Sequence, residues 1–586
     1  MAGEKIKNKD RFRIILKYLR KYRTYLYWGG LAIIGANLTI LINPYLLKLA
    51  FDRLENNAPA AEVLNLAILI VVFSLVSGVF RFSMRRTIIW MSRKIEFDLR
   101  SELFRHLLRL NPSFYYETPT GDIMARSTND IDAVRMMIGP GIMHTANTIV
   151  SSLIAISFML YLSPELTLYT LIPLPLLSII MNRLGQMVHR RFLKIQESFS
   201  VLTARVQENL AGVRVIRAYN QEEHEIKDFS GHCREYIRLN LRMIKVLAVF
   251  YPLLFGLAGT VNLAVLYFGG QSVINESISL GTLVAFFAYL AMLVWPMIAL
   301  GWVISLYQRG AASLDRINRL LNTRPKVASA EGAVADRDIT GKIEFRKLDF
   351  SYNGQTVLHD INLRVEPGMT VGVIGPTGSG KTTLVSLIAR LFPVPDKRLF
   401  IDDIDINDWN LGTLRSRIGF VPQEPFLFSE TLANNILFGS QRKESSLARQ
   451  AASRAVIDNE ISEFRHGYET ILGERGITLS GGQKQRVSIA RALVINPKII
   501  ILDDATSAVD TETEHLINIR LRSELAKRTA IIISHRASAV KDADLIAYME
   551  NGAIVETGNH DKLMALDKRY AELYRTQLIE AELDRM

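Results

Sequence analysis

Gly375-Pro376-Thr377-Gly378-Ser379-Gly380-Lys381-Thr382 follows the spacing G-x-x-x-x-G-K-[ST]. The run before it, Thr370-Val371-Gly372-Val373-Ile374, reads as a buried strand. The run after it, from Thr383 to Arg390, reads as a helix. Strand, glycine loop and helix is the context in which this motif cradles phosphates. The glycines let the backbone curl until its N–H groups point at one centre, and the helix N-terminus adds positive potential there. Lys381 reaches β- and γ-phosphates and Thr382 is a ligand for Mg²⁺. An ordinary glycine turn would need neither the lysine nor the flanking elements.

Outward from the loop, the chain divides by composition. Of its 586 residues 49% are hydrophobic, and the net charge is +12. Apolar residues form long runs before residue 310 and short strand-like runs after 340, which implies a membrane half and a soluble half. The charge does not point to nucleic acid. Nine Lys/Arg fall in Met1–Arg23, beside the first apolar run, where basic residues mark a cytoplasmic flank. Within that flank Asp10–Arg23 has the pattern of an amphipathic helix on the membrane surface. The single cysteine, Cys233, excludes an intrachain disulfide and reads as a bland thiol. No cleavable leader is expected, because the first apolar run continues to spanning length.

Six spans are predicted, at 24–47, 62–82, 139–162, 166–182, 246–268 and 280–306, each near the ~20 residues that cross a bilayer. Short loops with almost no Lys/Arg join them in pairs. The two remaining connections are roughly 55 to 65 residues long and rich in charge, which places them, with both termini, in the cytoplasm. Their apolar residues recur at helical spacing, as in Phe97, Leu99, Leu103, Phe104 and Leu107. A helix from Glu62 to Leu110 would be about 73 Å long, of which the hydrocarbon takes about 30 Å. Each connection has one break, at Asn111–Asp122 and around Asn209–Arg214, and these tips are placed to touch another domain. Residues 323–340 read as a linker. From Gly341 strands alternate with helices, the pattern of an α/β domain.

Four further stretches narrow the chemistry. Lys498–Asp504 is a buried strand ending in two carboxylates: Asp503 is placed for Mg²⁺ and Asp504 for a base facing water. Leu479-Ser480-Gly481-Gly482-Gln483 opens a helix and makes a second phosphate turn. Two such turns suit a head-to-tail pair in which each domain lends one turn to each shared nucleotide. Gln423, after a strand, offers an amide to Mg²⁺ or water, and His535, after another, a hydrogen bond to a γ-phosphate.

Taken together and in this order, these motifs resemble the ATP-binding cassette (ABC) exporters of the multidrug and lipid type, over nearly the whole chain. The resemblance implies a type IV fold: a six-span α-helical transmembrane domain with long cytoplasmic extensions (1–322), the linker (323–340) and an α/β P-loop nucleotide-binding domain (341–586). It implies that Tyr352 stacks on adenine and that Gly375, Pro376, Thr377, Gly378, Ser379, Gly380, Lys381, Thr382 and Thr383 are Walker A. Gln423 is then the Q-loop, Leu479–Gln483 the signature, Asp503 the Walker B aspartate, Asp510 the D-loop and His535 the switch histidine. Thr382, Gln423 and Asp503 would serve Mg²⁺. Thr470–Gly476 resembles the exporter loop that meets the membrane helices, and the two tips fall where the family has coupling helices. The implied work is ATP-driven efflux by alternating access, by two halves that exchange helices in the plasma membrane.

One position departs from the family pattern. Glutamate usually follows the Walker B aspartate, and here the residue is Asp504, whose carboxylate is withdrawn by ~1.3–1.5 Å, a displacement that can cost on the order of 10²-fold in rate. The resemblance then implies a slow site in an asymmetric heterodimer. The alternatives are a slowly turning homodimer and an ATP-gated or regulatory subunit. The spans hold few ionisable groups, with His144 and Lys48 near their ends, and few polar ones: Asn37, Asn43, Asn147 and Asn262. Aromatics at Tyr251, Phe255, Phe286, Phe287, Tyr289, Trp295 and Trp302 would suit a hydrophobic or amphipathic cargo such as a drug or lipid. A soluble clamp on DNA or ribosomes is opposed by the six spans. An importer is opposed by the fusion of both halves in one chain.

Overall fold

The computed structural model describes residues 12–473, 476–506, 517, 519–521 and 523–583; within them the side chains of Tyr251, Phe255 and Trp295 lie outside the described set. The chain forms two compact units. One comprises residues 12–107 and 120–323; the other comprises 108–119 and everything from Arg324.

The first unit is helical. It runs α1 (Arg13–Lys21), α2 (Arg23–Leu41), α3 (Asn43–Glu55) and α4 (Ala60–Leu107), then α5 (Thr120–Ala125), α6 (Ile131–Met136) and α7 (Ile142–Leu162). It continues with α8 (Pro164–Leu171), α9 (Pro173–Ala211), α10 (Val213–Ala218), α11 (Glu222–Ile274) and α12 (Leu280–Asn322). Among the described residues Arg23–Glu55, Ala60–Leu107 and Thr120–Leu162 are long and apolar enough to cross a membrane. The other three predicted spans are helical as well, within α8–α9, α11 and α12. The expected long extension is present: α4 is a single helix of 48 residues. The second break falls at Gly212, between α9 and α10.

Polar side chains between the apolar helices bond to each other. Asn37 Nδ2 donates to Asn147 Oδ1 at 3.0 Å, and Asn43 Nδ2 to Ser74 Oγ at 2.9 Å. Such groups in hydrocarbon are retained where they find partners across helices. The expected aromatic lining is narrower than the sequence suggests. Phe286 and Tyr289 are fully buried, and the Tyr289 hydroxyl donates to the Leu41 carbonyl at 2.9 Å. Trp302 remains partly exposed and meets the His144 ring edge to face.

Two π-helical turns, Arg126–Asp130 and Met137–Gly141, flank α6. The second is a close-packing point. A Cβ on Gly310 of α12 would sit 2.5 Å from that of Met137, and one on Gly139 would meet Ser92 Oγ of α4 at 2.6 Å. The first turn carries Asp130, which is buried and accepts from Arg316 Nε and Nη2 and from Ser313 Oγ, both residues on α12.

The basic N-terminal stretch forms the expected amphipathic helix, and its apolar side docks on the protein. α1 buries Ile15 and Tyr18, and polar groups tie it to α4. Tyr18 donates to Glu102, Lys21 Nζ bonds Asp98 at 2.5 Å, and Tyr22 donates to the same carboxylate at 2.9 Å. Acidic residues on the α4 extension, unremarkable in sequence, account for this docking.

The second unit holds two sheets. The smaller, antiparallel one has the order β2-β1-β4-β5, with β1 Ile343–Tyr352, β2 Gln355–Val365, β4 Leu399–Ile401 and β5 Ile404–Asp405. The larger has the order β10-β9-β3-β8-β7-β6, with β3 Thr370–Ile374, β6 Ile418–Val421, β7 Ile499–Asp503, β8 Thr529–Ile533, β9 Leu545–Glu550 and β10 Ala553–Gly558. Its strands are parallel except β10. Nearly every residue of β3 and β7 is buried, which is why these runs read as continuously apolar.

The expected linker is bound to this unit. Val334 exchanges backbone hydrogen bonds with Asp408 and Asn410, and the Thr340 and Lys342 amides donate to Asp402. The buried Trp409 and Asp402 supply the partners that loop-like composition conceals. The first tip, too, belongs here: Asn111 Oδ1 accepts from the Lys326 amide at 3.4 Å.

Candidate functional site

Four parallel strands, β3, β8, β7 and β6, lie side by side with level carboxyl ends. Val373 pairs with Ile533, Asp503 with Ile533, and Val421 with Leu502. Parallel strands place ligands beyond these ends. The register therefore gathers the glycine loop after β3, His535 after β8, Asp503 and Asp504 at the end of β7 and Gln423 after β6, all along one edge.

The loop has the geometry its glycines imply. Gly375 and Gly380 have φ of +152° and +95°. At Gly375 a Cβ would lie 2.0 Å from the Met549 carbonyl oxygen, a backbone atom that cannot step aside. We expect Gly375→Ala to store about 3 kcal/mol of strain in the loop and to lose most of its nucleotide affinity, read by titration with a fluorescent ATP analogue. Gly380 caps α13 (Lys381–Ile388), whose N-terminus faces the loop.

Lys381 is 6% exposed, and its ammonium donates to the carbonyls of Gly375 and Pro376 at 2.8 Å each. Burial pushes its pKa down, while Asp503 and Asp504 act in the opposite sense. Asp503 is buried at the end of β7 and accepts from Thr382 Oγ1 at 3.2 Å. Burial pushes its carboxyl above the ordinary range, against the Thr382 hydroxyl, and Asp504 adds to the rise; Lys381 and His535 oppose it. A carboxylate and a hydroxyl at this spacing form a hard oxygen donor pair of the kind that suits Mg²⁺. Among the described residues no cluster of three His, Cys, Asp or Glu exists to cage a metal.

Tyr352, at the end of β1, stands edge to face with Phe350 and Phe392, and its hydroxyl lies 3.5 Å from Thr383 Oγ1. The expected adenine platform is thus tied to the helix that follows the loop. Gln423 is exposed. The backbone carbonyl of His535 is held by Gln577 Nε2 at 2.7 Å.

Asp504 adopts the left-handed region, with φ of +51°. Its amide donates to the Ile533 carbonyl at 2.9 Å, and its own carbonyl accepts from Gln485 Nε2 at 3.3 Å. The backbone is fastened on both sides.

The signature stretch forms the predicted helix start. Ser480 caps α15 (Gly481–Val494; α14 is Asp458–Glu463) with a reciprocal capping box: Gln483 N–H donates to Ser480 Oγ at 3.3 Å, and Ser480 N–H to Gln483 Oε1 at 3.0 Å. Leu479 and Gly482 are buried, whereas Ser480 and Gly481 face outward. Glu460 of α14, twenty residues upstream and unremarkable in sequence, accepts from both Gln483 and Arg486. Asp510, with Ser507–Val509, and Glu474–Arg475 of the exporter-type loop lie outside the described residues.

Comparison with known proteins agrees with this construction. Residues 26–297 match the ABC transporter transmembrane region, and 358–507 the ABC transporter ATP-binding family described simply as ABC transporter. The chain is 36% identical, over 97% of its length and 96% of the relative's, to the multidrug resistance-like ATP-binding protein MdlA of Escherichia coli strain K12. It is 38% identical, over 94% and 95%, to the probable multidrug resistance ABC transporter ATP-binding/permease protein YheI of Bacillus subtilis. An ATP-dependent lipid A-core flippase of Syntrophus aciditrophicus is 33% identical over 93% and 90%. The fold matches a bacterial Atm1-family ABC exporter solved with ATP bound, with a TM-score of 0.79 and 26% identity over 95% and 98% of the two chains. A helical membrane unit and a cassette whose strand ends converge on a phosphate loop, joined in one chain with such relatives, make this protein a member of the ABC transporter family, a multidrug- and lipid-type exporter half whose cassette hydrolyses ATP to drive transport.

Proposed function

We propose that this chain is the slow half of an asymmetric exporter that moves hydrophobic or amphipathic molecules, drugs or lipids, out across the cell membrane. The observation that carries the reading is Asp504, a short carboxylate on a fastened backbone, in a cassette whose signature turn is fully formed. The Lys381 loop holds ATP, Thr382 and Asp503 hold Mg²⁺ with Gln423 at its edge, and Tyr352 packs on the base. Mg²⁺ in that place neutralises phosphate charge. His535 steadies the γ-phosphate. Asp504 polarises the attacking water weakly, so the site clamps more than it cleaves. Leu479–Gln483 closes the ATP held by a second exporter half, and that site turns over faster. The cassette and both termini are cytoplasmic.

A partner also suits the first unit. α9 and α11 pack on each other, with Arg191 Nη1 donating to the Arg242 carbonyl at 2.9 Å. The pair leaves Leu193, Phe199, Ile226, Ile237 and Leu241 exposed, apolar side chains that exchange of this hairpin with a second half would cover. The names of the relatives, multidrug-resistance proteins and a lipid flippase, agree with an amphipathic cargo.

The test is to tag the chain in its native membrane, purify it and identify the co-purifying subunit, then assay inverted vesicles for ATP-driven uptake of an amphipathic dye. The expected result is a second ABC half with glutamate after its Walker B aspartate, and uptake only when both chains are present. A homodimer that pumps alone overturns the asymmetric reading and leaves the exporter standing.

A further inference from the structure

We propose that Glu460 is a positioning residue for ATP hydrolysis: through Gln483 and Arg486 it sets the face that the signature turn presents to nucleotide. The inference rests on the reading above, that this turn serves an ATP bound by the partner.

A carboxylate only accepts hydrogen bonds, and an amide side chain has one accepting and one donating end. Glu460 Oε2 accepts from Gln483 Nε2 at 3.0 Å. That contact fixes the amide so that its oxygen points at the Ser480 N–H, which it accepts at 3.0 Å. With the amide reversed, NH₂ would face N–H and the capping box would open. The same carboxylate takes the guanidinium of Arg486 in a two-point pair, with Nη2 at 3.0 Å from Oε2 and Nη1 on Oε1. Arg486 is 7% exposed. Its Nη1 also donates to the Val456 carbonyl at 2.9 Å and its Nε to the Gly482 carbonyl at 3.4 Å. One side chain therefore governs the Ser480 amide through Gln483 and the Gly482 carbonyl through Arg486. The first opens the outward-facing pair Ser480–Gly481, and the second lies on the buried residue that follows it. Phosphate recognition by a helix N-terminus depends on where those N–H groups point, and groups acting at a reacting centre must be held to a fraction of an ångström.

The experiment uses the transporter purified with its partner half, and three variants of this chain: Glu460→Gln, the exchanged double variant Glu460→Gln with Gln483→Glu, and Ser480→Ala. It measures kcat and KM for ATP, and separately the affinity of this chain's own loop for a fluorescent ATP analogue. Glu460→Gln keeps the volume and removes the one-way polarity; kcat is expected to fall by about 10- to 100-fold, the cost of a misplacement near 1 Å, with analogue affinity unchanged. The double variant restores an acceptor at the Ser480 amide and a donor opposite it, and is expected to recover most of the loss. If Ser480→Ala slows hydrolysis but Glu460→Gln does not, or if the double variant recovers nothing, the positioning role is overturned alone. If Ser480→Ala has no effect, the reading of the signature falls and takes this one with it. If Glu460→Gln also abolishes analogue binding, Glu460 merely supports the fold and the proposal is overturned.

Discussion

Asp504→Glu is expected to raise ATP turnover at this chain's own site by about one to two orders of magnitude and, at the same time, to lower the melting temperature of the cassette. The two effects share one cause. The Asp504 amide is bonded to Ile533 and its carbonyl to Gln485, so the backbone cannot advance to make up for a missing methylene. Side-chain length alone sets how far the carboxylate reaches, and glutamate supplies the missing bond. The left-handed backbone at this residue suits aspartate, which visits that region several-fold more often than most residues do. Glutamate there is disfavoured by about 1 kcal/mol, which appears as reduced stability. Phosphate release and thermal unfolding of the same preparation separate the two. A wild-type chain that hydrolyses quickly and gains nothing from the substitution would show that Asp504 is no handicap, and the slow-site reading would fail.

The row of candidate residues along the strand ends was legible in sequence because each of its parts is local. Lys381 follows its glycines directly, and Asp503 and His535 end strands whose apolar runs announce them. Parallel strands then do the assembling, since level carboxyl ends bring residues more than 100 positions apart into one row. What stayed hidden depends on partners distant in sequence. Glu460 looks like any carboxylate on a short polar helix until Gln483 and Arg486 are seen against it. The segment after Thr323 has the composition of a loop, yet Asp402 and Trp409 bind it along its length. In the spans, an aromatic left exposed and one buried between helices share the same apolar surroundings in sequence, so Tyr289 and Trp302 read alike. Only the contact of Tyr289 with Leu41 tells them apart. The π-helical turn at Arg126–Asp130 likewise leaves no trace in periodicity. It is a matter of one extra residue in a turn, accommodated where Asp130 meets α12.

That meeting point leads to an expected asymmetry between two substitutions. Arg316→Met should destabilise the membrane unit by about 2 kcal/mol, whereas Asp130→Asn should cost clearly less. The carboxylate side chain of Asp130 is 10% exposed, and that of Arg316 is 46% exposed. Removing the arginine strands a negative charge away from water, with the Ser313 hydroxyl bonded to it and Arg126 acting on it from farther off. Removing the charge from Asp130 leaves an arginine that water already reaches, and an amide oxygen still able to accept from it. The figure falls below the 3–5 kcal/mol typical of a fully buried pair because the exposed guanidinium is screened. The position predicts an effect on transport as well as on stability. The chain crosses between the two compact units three times, after Leu107, before Thr120 and after Thr323. Asp130 follows the crossing at Thr120 by ten residues and Arg316 precedes the one after Thr323 by seven, and their two-point ion pair ties these segments together. A displacement of the cassette that enters through either segment is then shared by both. With the pair broken, each segment moves alone, and ATP hydrolysis should persist while dye uptake into inverted vesicles falls. The measurement is the ratio of uptake to hydrolysis for wild type, Arg316→Met, Asp130→Asn and the charge-exchanged Asp130→Arg/Arg316→Asp. Recovery of that ratio in the exchanged variant is the expected outcome. Uptake and hydrolysis falling in strict proportion in every variant would reduce the pair to a structural contact.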